Sequence, residues 1–580
     1  MSDLRTIVFG LLCSLLWQGQ LRDQPARRDQ PPVGAVSISG RVQAAGTGAP
    51  IQGAMILLVT APVTESHSSG RDLEGARIDG RTATTDASGS FSFTGVAPGA
   101  YRLIVSPAFH QGRYLPSGIG ASRPNDPGRA FTVRAGEDIR DLTLTLPAGV
   151  AIEGRVMDEA GEPLSRMNVI AARVMAGSDV AQRVGHEPAT TDDLGRYRIY
   201  GLEPGEYVVA VEGRSVPVTR AQQPGVRVPL SEQELMAFLT TFHPSALVEP
   251  AAQRLRLAPG RDTVGIDIAA VRARRFRVSG VVLDSQGVPL PTASGALSRA
   301  GMISATSQGF TSDAVGRFIV AAVEPGEYTL VVGGGRWSSP VGSAGRPEHA
   351  ELPMTVTADL EEVVVVTQPG ITVSGRVVLA DAPPASAPQL RIAFHPEDRS
   401  ILHSTEIVAS IDGDLRFRAA DLFGPRLVRV SGLSSGWAVK AVLLNGADIT
   451  DVPTVFTRDH DGQLHVVLGS RLSTLDGEVR DDTGKAVDDA MVFVFSEERR
   501  SWSLASPRTV FSDVRPDGRF RVGGLTGGRY FAIALAREGF RMPETPREAF
   551  FELLSKEATP FVIGDDERRT LDLRLWRWPE

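Results

Sequence analysis

Histidine is the side chain most readily recruited as a general base or metal ligand. This chain has nine: His67, His110, His186, His243, His349, His395, His403, His460 and His465. His403 alone opens an H-x-x-E pattern (HSTE, with Glu406), and none opens H-E-x-x-H, so no second histidine at a set spacing joins zinc ligands and a carboxylate. His186-Glu187 runs into Pro188, and His460 and His465 stand five apart around a turn. They read as nine solvated loop histidines. Phosphate loops and dinucleotide fingerprints are missing too, and the one G-x-S-x-G match, GLSSG (Gly432–Gly436), is followed by the strand-like WAVKAVLL rather than by the helix a nucleophile elbow needs. The single cysteine, Cys13, rules out an intrachain disulfide and a cysteine-based zinc site. The expectation is no catalytic residue, no metal site and no cofactor.

Carboxylates come in pairs at Asp192/Asp193, Asp481/Asp482, Asp488/Asp489 and Asp565/Asp566, and Asp459 and Asp461 flank His460. Calcium favours clustered carboxylate oxygens, but none of these has the spacing of a dedicated calcium loop. Turn and surface roles are expected, with weak Ca2+ binding as the alternative. Aromatic rings with one apolar face and one polar tip can stack on sugars. Trp337 (in GGGRWSSPVGSAG) and Trp502 (in EERRSWSLASPR) are the candidate carbohydrate-binding residues. Trp437, Trp576 and Trp578 lie in strand-like segments and are assigned to packing.

These side chains are carried on 580 residues with a formal net charge of -7, 42% hydrophobic and 22% charged. That is ample apolar content for buried cores, and a mildly acidic balance argues against nucleic acid as a partner. Lysine occurs only at Lys440, Lys485 and Lys556, and asparagine only at Asn125, Asn168 and Asn445, none opening a glycosylation sequon. At the N-terminus Thr6–Trp17 is an apolar run of the length of an export-signal core, too short for a membrane span. Arg5 is the only basic residue ahead of it, opposed by Asp3, and no clean small-x-small cleavage site follows. No later segment is apolar enough to span a membrane. The expected location is exported: periplasm, cell surface or secreted.

Self-comparison shows five copies of one pattern, opened by Gly40, Gly154, Gly280, Gly375 and Gly477. The second copy runs IEGRVMDEAGEPL, then TTDDLGRYRIYGLEPGEYVVAV (Thr190–Val211). Apolar residues alternate with period two, as in Tyr197/Ile199 and Tyr207/Val209/Val211. D-x-x-G supplies a hairpin turn, and P-G-x-Y turns the chain again before a tyrosine whose hydroxyl can reach a backbone partner. A further strand closes each copy.

The expected fold is all-β: a tandem array of about five seven-stranded Ig/transthyretin-like β-sandwich domains with short helical insertions in the second and fifth. The divisions are 1–33 (export signal and tether), 34–147, 148–273, 274–368, 369–470 (degenerate) and 471–580. One helix is expected near 231–242, where Ser231 and Glu234 form a capping box and Leu235, Phe238, Leu239 and Phe242 follow at helical spacing. The other is expected near 546–556, with Thr545 as cap, Pro546 at the first position, Glu548 completing the box and Phe550, Phe551, Leu553 and Leu554 behind. Both apolar faces should pack on their own sandwich.

The motifs GRVMDEAGEPL (Gly154–Leu164), TDDLGRY (Thr191–Tyr197) and PGEY (Pro204–Tyr207) resemble the carboxypeptidase regulatory-like family of transthyretin-like (prealbumin-type) sandwiches, related in style to the Cna-B repeats of bacterial surface proteins. In the fourth copy Leu415 replaces the turn glycine and GPRL (Gly424–Leu427) replaces P-G-x-Y. That copy also holds WAVKAVLLNGADITDVP (Trp437–Pro453), similar to a form found in multi-module exported proteins of environmental bacteria. Such domains accompany peptidases, transporters and adhesins, so the resemblance implies fold more than function. Cna-B-like domains can carry a Lys–Asn crosslink, but the first three copies lack lysine, and Lys440 and Asn445 are too local to join opposite sheets. The resulting expectation is an exported, non-enzymatic structural or interaction protein with an unknown protein or polysaccharide partner. The alternatives are a carbohydrate- or polymer-binding protein using loop aromatics, and an accessory regulator of a separate hydrolase or transporter.

Overall fold

The computed structural model describes residues 35–578 apart from 61–79, 108–112, 122–123, 125–127, 129, 175–180, 184–187, 214–230, 300–306, 334–339, 344, 382–389, 397–405, 434–435, 488 and 538–547. The elements are almost all strands, and one arrangement recurs. In the first module the opening strand Val36–Ala44 is the centre of a three-stranded sheet. It pairs antiparallel with Ser90–Val96 and parallel with the closing strand Ile139–Leu146. A second sheet stacks on it, built from Gly80–Thr84, Met55–Thr60, Gly99–Ser106 and Phe131–Val133. Alternate residues of both sheets (Ile38, Val42, Ile56, Leu58, Phe91, Phe93, Leu103, Val105) meet in one core. Corresponding cores fill the next four copies, around Val156/Val209, Val282/Leu330, Val377/Val466 and Val479/Ala532.

The opening glycine sits opposite the aromatic residue that follows the D-x-x-G hairpin: Gly40 with Phe91, Gly154 with Tyr197, Gly280 with Phe318, Gly375 with Phe417 and Gly477 with Phe520. On its other side the closing strand comes so near that a Cβ would collide with a carbonyl oxygen, Leu142 at Gly40 and Ile266 at Gly154. Glycine is therefore required for backbone approach, and the facing ring covers the gap.

Polar groups anchor the turns. In the first three modules a buried hydroxyl just ahead of the hairpin aspartate bridges two backbone groups. Thr191 Oγ1 accepts from Met167 N–H at 2.9 Å and donates to Leu164 C=O at 2.6 Å, with Thr85 and Ser312 alike. The corner tyrosines Tyr101, Tyr207, Tyr328 and Tyr530 donate to the carbonyl four residues upstream, at 2.9 to 3.0 Å.

The fourth module departs from this plan in three places. Ile411 stands where the bridging hydroxyl would be, and Leu415 occupies the hairpin position at φ 58° that Gly195 fills at φ 70°. The third departure corrects the sequence alignment. Arg426, not Leu427, takes the place of the corner tyrosine, since Pro396 pairs with Arg426 as Ser496 pairs with Tyr530. The matching quartet is thus Phe423–Arg426, and Arg426 Nε donates to Phe423 C=O at 2.7 Å. This module also gains a hairpin, Ala438–Leu444 with Ala447–Asp448, laid antiparallel on its closing strand Leu464–Gly469.

The helix expected near 231–242 is a single turn, Glu232–Leu235, with the Ser231/Glu234 capping box formed. Met236–Phe238 is instead a strand paired with Arg272–Arg274, and Thr241–Phe242 pairs with Ala210–Val211. A distant strand partner overrides the local 3.6-residue periodicity, and aromatic and β-branched residues suit that outcome. Phe242 packs on Ile170, Ala172, Val208 and Ala210, the outer face of its own sandwich. In the fifth module the helix spans Glu548–Glu557, while Thr545 and Pro546 lie outside the described residues. Its Phe550, Phe551 and Leu554 bury against Phe493, Phe495, Ile533 and Leu535, giving this module a second core outside its sheet.

Candidate interaction sites

Trp502 is not an open platform. Its ring stacks on Phe551 with centroids 6.1 Å apart, and the Arg499 guanidinium lies 5.1 Å from the ring centroid. Its indole N–H donates to Ser496 C=O at 3.0 Å. With these contacts Trp502 extends the cluster under the Glu548–Glu557 helix while staying partly exposed. Trp337 lies outside the described residues. Trp437 packs against the fourth core and Trp576 and Trp578 against the second core of the fifth module.

Four of the described histidines also differ from solvated loop residues. His243 is buried with Nδ1 2.6 Å from Asp267 C=O. His349, His395 and His465 lie in strands. His349 Nδ1 is 3.0 Å from Gly333 C=O and Nε2 is 2.9 Å from the Glu351 carboxylate.

The aspartates are backbone-anchoring groups. Asp86, Asp158, Asp192, Asp284, Asp313, Asp412 and Asp481 each accept from the N–H groups two and four residues on, as Asp192 does from Leu194 (2.9 Å) and Arg196 (2.7 Å). Such bonds favour the ionised form. The Ser88 hydroxyl and backbone donors hold Asp86 below the usual carboxylate range, Thr483 and Lys485 do so for Asp481, and Ser343 leads the donors that bring Asp284 down to about 2. Of the paired acids, Asp192 and Asp481 are committed to turns, Asp482 pairs with Arg574 at 2.6 Å, and Asp565 accepts from Gly527 N–H at 3.1 Å. Among the described residues no three His, Cys, Asp or Glu side chains gather as a metal site.

A second aspartate set escaped the sequence reading. Asp138, Asp262, Asp359 and Asp461, just ahead of the closing strand in the first four modules, accept from the opening strand: Ser37, Ala151, Arg277 and Ser374 N–H at 2.7 to 2.9 Å. The signal is an acid recurring three or four residues before the closing strand's apolar alternation, as in Asp138 before Leu142 and Asp461 before Leu464.

Side chains also cross between modules. Arg274, where the second module ends, contacts Glu232 at 3.2 Å and Asp359 of the third at 3.0 Å. The Glu324 carboxylate of the third accepts from Thr240 N–H of the second at 3.1 Å and pairs with Arg299 at 3.2 Å. The His349 ring lies on Phe423 of the fourth module with centroids 4.9 Å apart. Between fourth and fifth, the Asp451 carboxylate (2% exposed) is held by Arg429 at 3.0 Å and by the Ser506 hydroxyl of the fifth at 2.7 Å. Arg508 of the fifth reaches Asp448 at 2.9 Å. Burial pushes the Asp448 carboxyl up, but bonds from Thr450 and Arg508 outweigh that and hold it below its ordinary value. The WAVKAVLLNGADITDVP segment thus forms a hairpin and a loop docked on the fifth module.

Comparison with known proteins follows this architecture. The model of the carboxypeptidase regulatory-like domain matches residues 37–147 and 151–238. Among curated proteins none matches in sequence. Of solved structures, a streptococcal ancillary pilin is similar at 14% identity over 58% of this chain and 99% of that one, with a TM-score of 0.21. GBS52, the minor pilin of Streptococcus agalactiae, has 17% identity over 41% and 96% (TM-score 0.21). BcpA, the major pilin subunit of Bacillus cereus, has 9% over 58% and 100% (TM-score 0.15). Values this low carry no argument about what the chain does. No helix among the described residues is long and apolar enough to cross a membrane. The sandwich cores, the recurring turn chemistry and the family match agree: residues 37–147 and 151–238 match the carboxypeptidase regulatory-like domain, within a multi-module chain of β-sandwiches.

Proposed function

We propose that this is an exported, non-enzymatic structural or interaction protein whose five sandwiches act as a semi-rigid rod. The observation that carries this reading is the bracing of the junctions: Arg274 grips both Glu232 and Asp359, and Asp451 is buried between Arg429 and Ser506. Domains joined by a free linker would leave such groups in water. Strands of 8–10 residues at about 3.3 Å each make a unit roughly 30 Å long, so five in line span on the order of 150 Å. Small-angle scattering of the full chain is the test. A maximum dimension near that length, shortened by Arg274→Ala together with Asp451→Ala, supports the rod, and a distribution typical of freely jointed beads overturns it. Fractionation of the native cell tests export, since a purely cytoplasmic protein contradicts it. Binding on a polysaccharide panel that depends on Trp337 would move the reading to a carbohydrate-binding protein.

A further inference from the structure

We infer that the outer sheet face of the fourth module binds an acidic polysaccharide, one that carries carboxylates along its chain. Arg376 of the opening strand Ile371–Leu379 stands opposite Arg416 on one side and His465 of the closing strand on the other. Arg418 follows on the same face as Arg416, opposite Ser374. Val377, Phe417 and Val466 point into the core, so the three arginines point out, and all are exposed. Among the described residues none of the three guanidinium groups has an ion pair. The acids bonded to this patch are spent on its backbone: Asp412 accepts from Asp414 and Arg416 N–H at 3.0 and 2.8 Å, and Asp461 from Ser374 N–H at 2.7 Å. Bonds from Ser374 hold the Asp461 carboxyl below its ordinary value, with a smaller contribution from Arg418.

Like charges directly opposed across an antiparallel pair are destabilising, and the other modules avoid or relieve them at these positions. In the first, Arg41 lies between Ser90 and Thr143, and in the third Val281 lies between Arg317 and Val364. In the fifth, Glu478 faces Arg519, and Asp476 pairs with Arg521 and Arg568. The second does oppose Arg155 to Arg196, but Asp267 accepts from Arg155 N–H, and the neighbouring Arg198 pairs with Glu153 and Asp262. The fourth has His465 where the second has Asp267, and Ser374 where it has Glu153. A cluster left uncompensated in this one module is a place for an anion from outside. Opposed arginines have Cα atoms about 4.5–5.5 Å apart and Arg418 follows Arg416 at about 7 Å, so one chain can meet all three. Each planar fork takes a carboxylate through two parallel N–H bonds. Nucleic acid is disfavoured because no Phe, Tyr or Trp stands at these positions for bases to stack on. An extended peptide adds to a sheet edge, and both edges of this sheet are two-residue strands, Ser410–Ile411 and Ala447–Asp448. A polysaccharide instead lies across a face and is held by its side groups, and its choice over other polyanions rests on the exported reading above.

Biolayer interferometry of the full chain on immobilised polygalacturonate is the test. Binding should fall as salt rises, and should weaken about ten-fold or more with Arg376→Gln and Arg416→Gln together, since two charge-assisted contacts are lost. Arg155→Gln with Arg196→Gln, the matching pair of the second module, should leave it within about two-fold, as exposed charges with acids beside them hold little. The melting temperature of the fourth-module variant should be unchanged or higher, repulsion having been relieved, so that lost binding is not lost fold. Neutral dextran should not bind. No binding to polygalacturonate, equal loss from the second-module pair, or tighter binding to polyglutamate or single-stranded DNA would each overturn the inference. Absence of binding leaves the exported rod standing, whereas a purely cytoplasmic protein on fractionation overturns export and the polysaccharide with it.

Discussion

The second and fourth modules share a strand order and reach it by different chemistry. The second uses Thr191 to tie two loops, Gly195 to turn the hairpin and Tyr207 to brace the corner. The fourth puts Ile411, Leu415 and Arg426 at those places, yet its backbone still takes φ 58° at Leu415 and at Asp421, where the second module has Gly201 at φ 68°. The sandwich thus dictates backbone conformation, and a residue poorly suited to it is tolerated at a cost of about 1–2 kcal/mol. What the fourth module has in exchange is contact: an added hairpin and a buried Asp451 shared with its neighbour. A module that is weak alone can be held by its junction.

The largest expected effect tests that dependence. Asp451→Ala leaves Arg429 buried without its carboxylate and should destabilise the fourth module by about 3 kcal/mol in urea titration, with the second unaffected. Next, Gly154→Ala and Gly375→Ala should each cost about 2 kcal/mol, because in both modules a Cβ would strike a closing-strand carbonyl. Unequal costs would show that the shared backbone constraint is not shared. Tyr207→Phe should cost about 1 kcal/mol by removing the donor to Glu203 C=O, measured as a shift in denaturation midpoint. Leu415→Gly should stabilise the fourth module by about 0.5 kcal/mol, the relief at positive φ exceeding the added chain entropy.

The smallest effect concerns acid. The Asp448 carboxyl is held below its ordinary value in the folded protein, so its contribution is present above the unfolded value of about 3.9 and is lost as pH falls below it. Fluorescence of Trp502, in the loop that docks on Asp448, should report loosening of the fourth–fifth junction below about pH 4, and Asp448→Asn should abolish that transition.

What could be read from the sequence was local. The opening glycines, the D-x-x-G hairpins and the corner tyrosines appear in sequence because each is decided by a few adjacent residues and a steric rule. What could not be read was non-local. Met236–Phe238 reads as helix until Arg272–Arg274 is known to lie beside it. The stacking of Trp502 on Phe551, brought by a helix about 50 residues on, has no local signal. Arg426 was set one place off because the quartet in the fourth copy has a changed first residue, and only the pairing with Pro396 restores the register. The partners of Asp451 lie on either side in sequence, one in the next module, so no spacing rule could reveal them.

In all five modules the opening and closing strands run parallel and side by side. The chain therefore enters at one end of this strand pair and leaves at the other. A pull on the two ends slides these strands along each other and loads their hydrogen bonds together, whereas an antiparallel hairpin would peel open one bond at a time. Each sandwich is clasped in shear, and the glycine that lets the two backbones approach so closely is a part of that clasp.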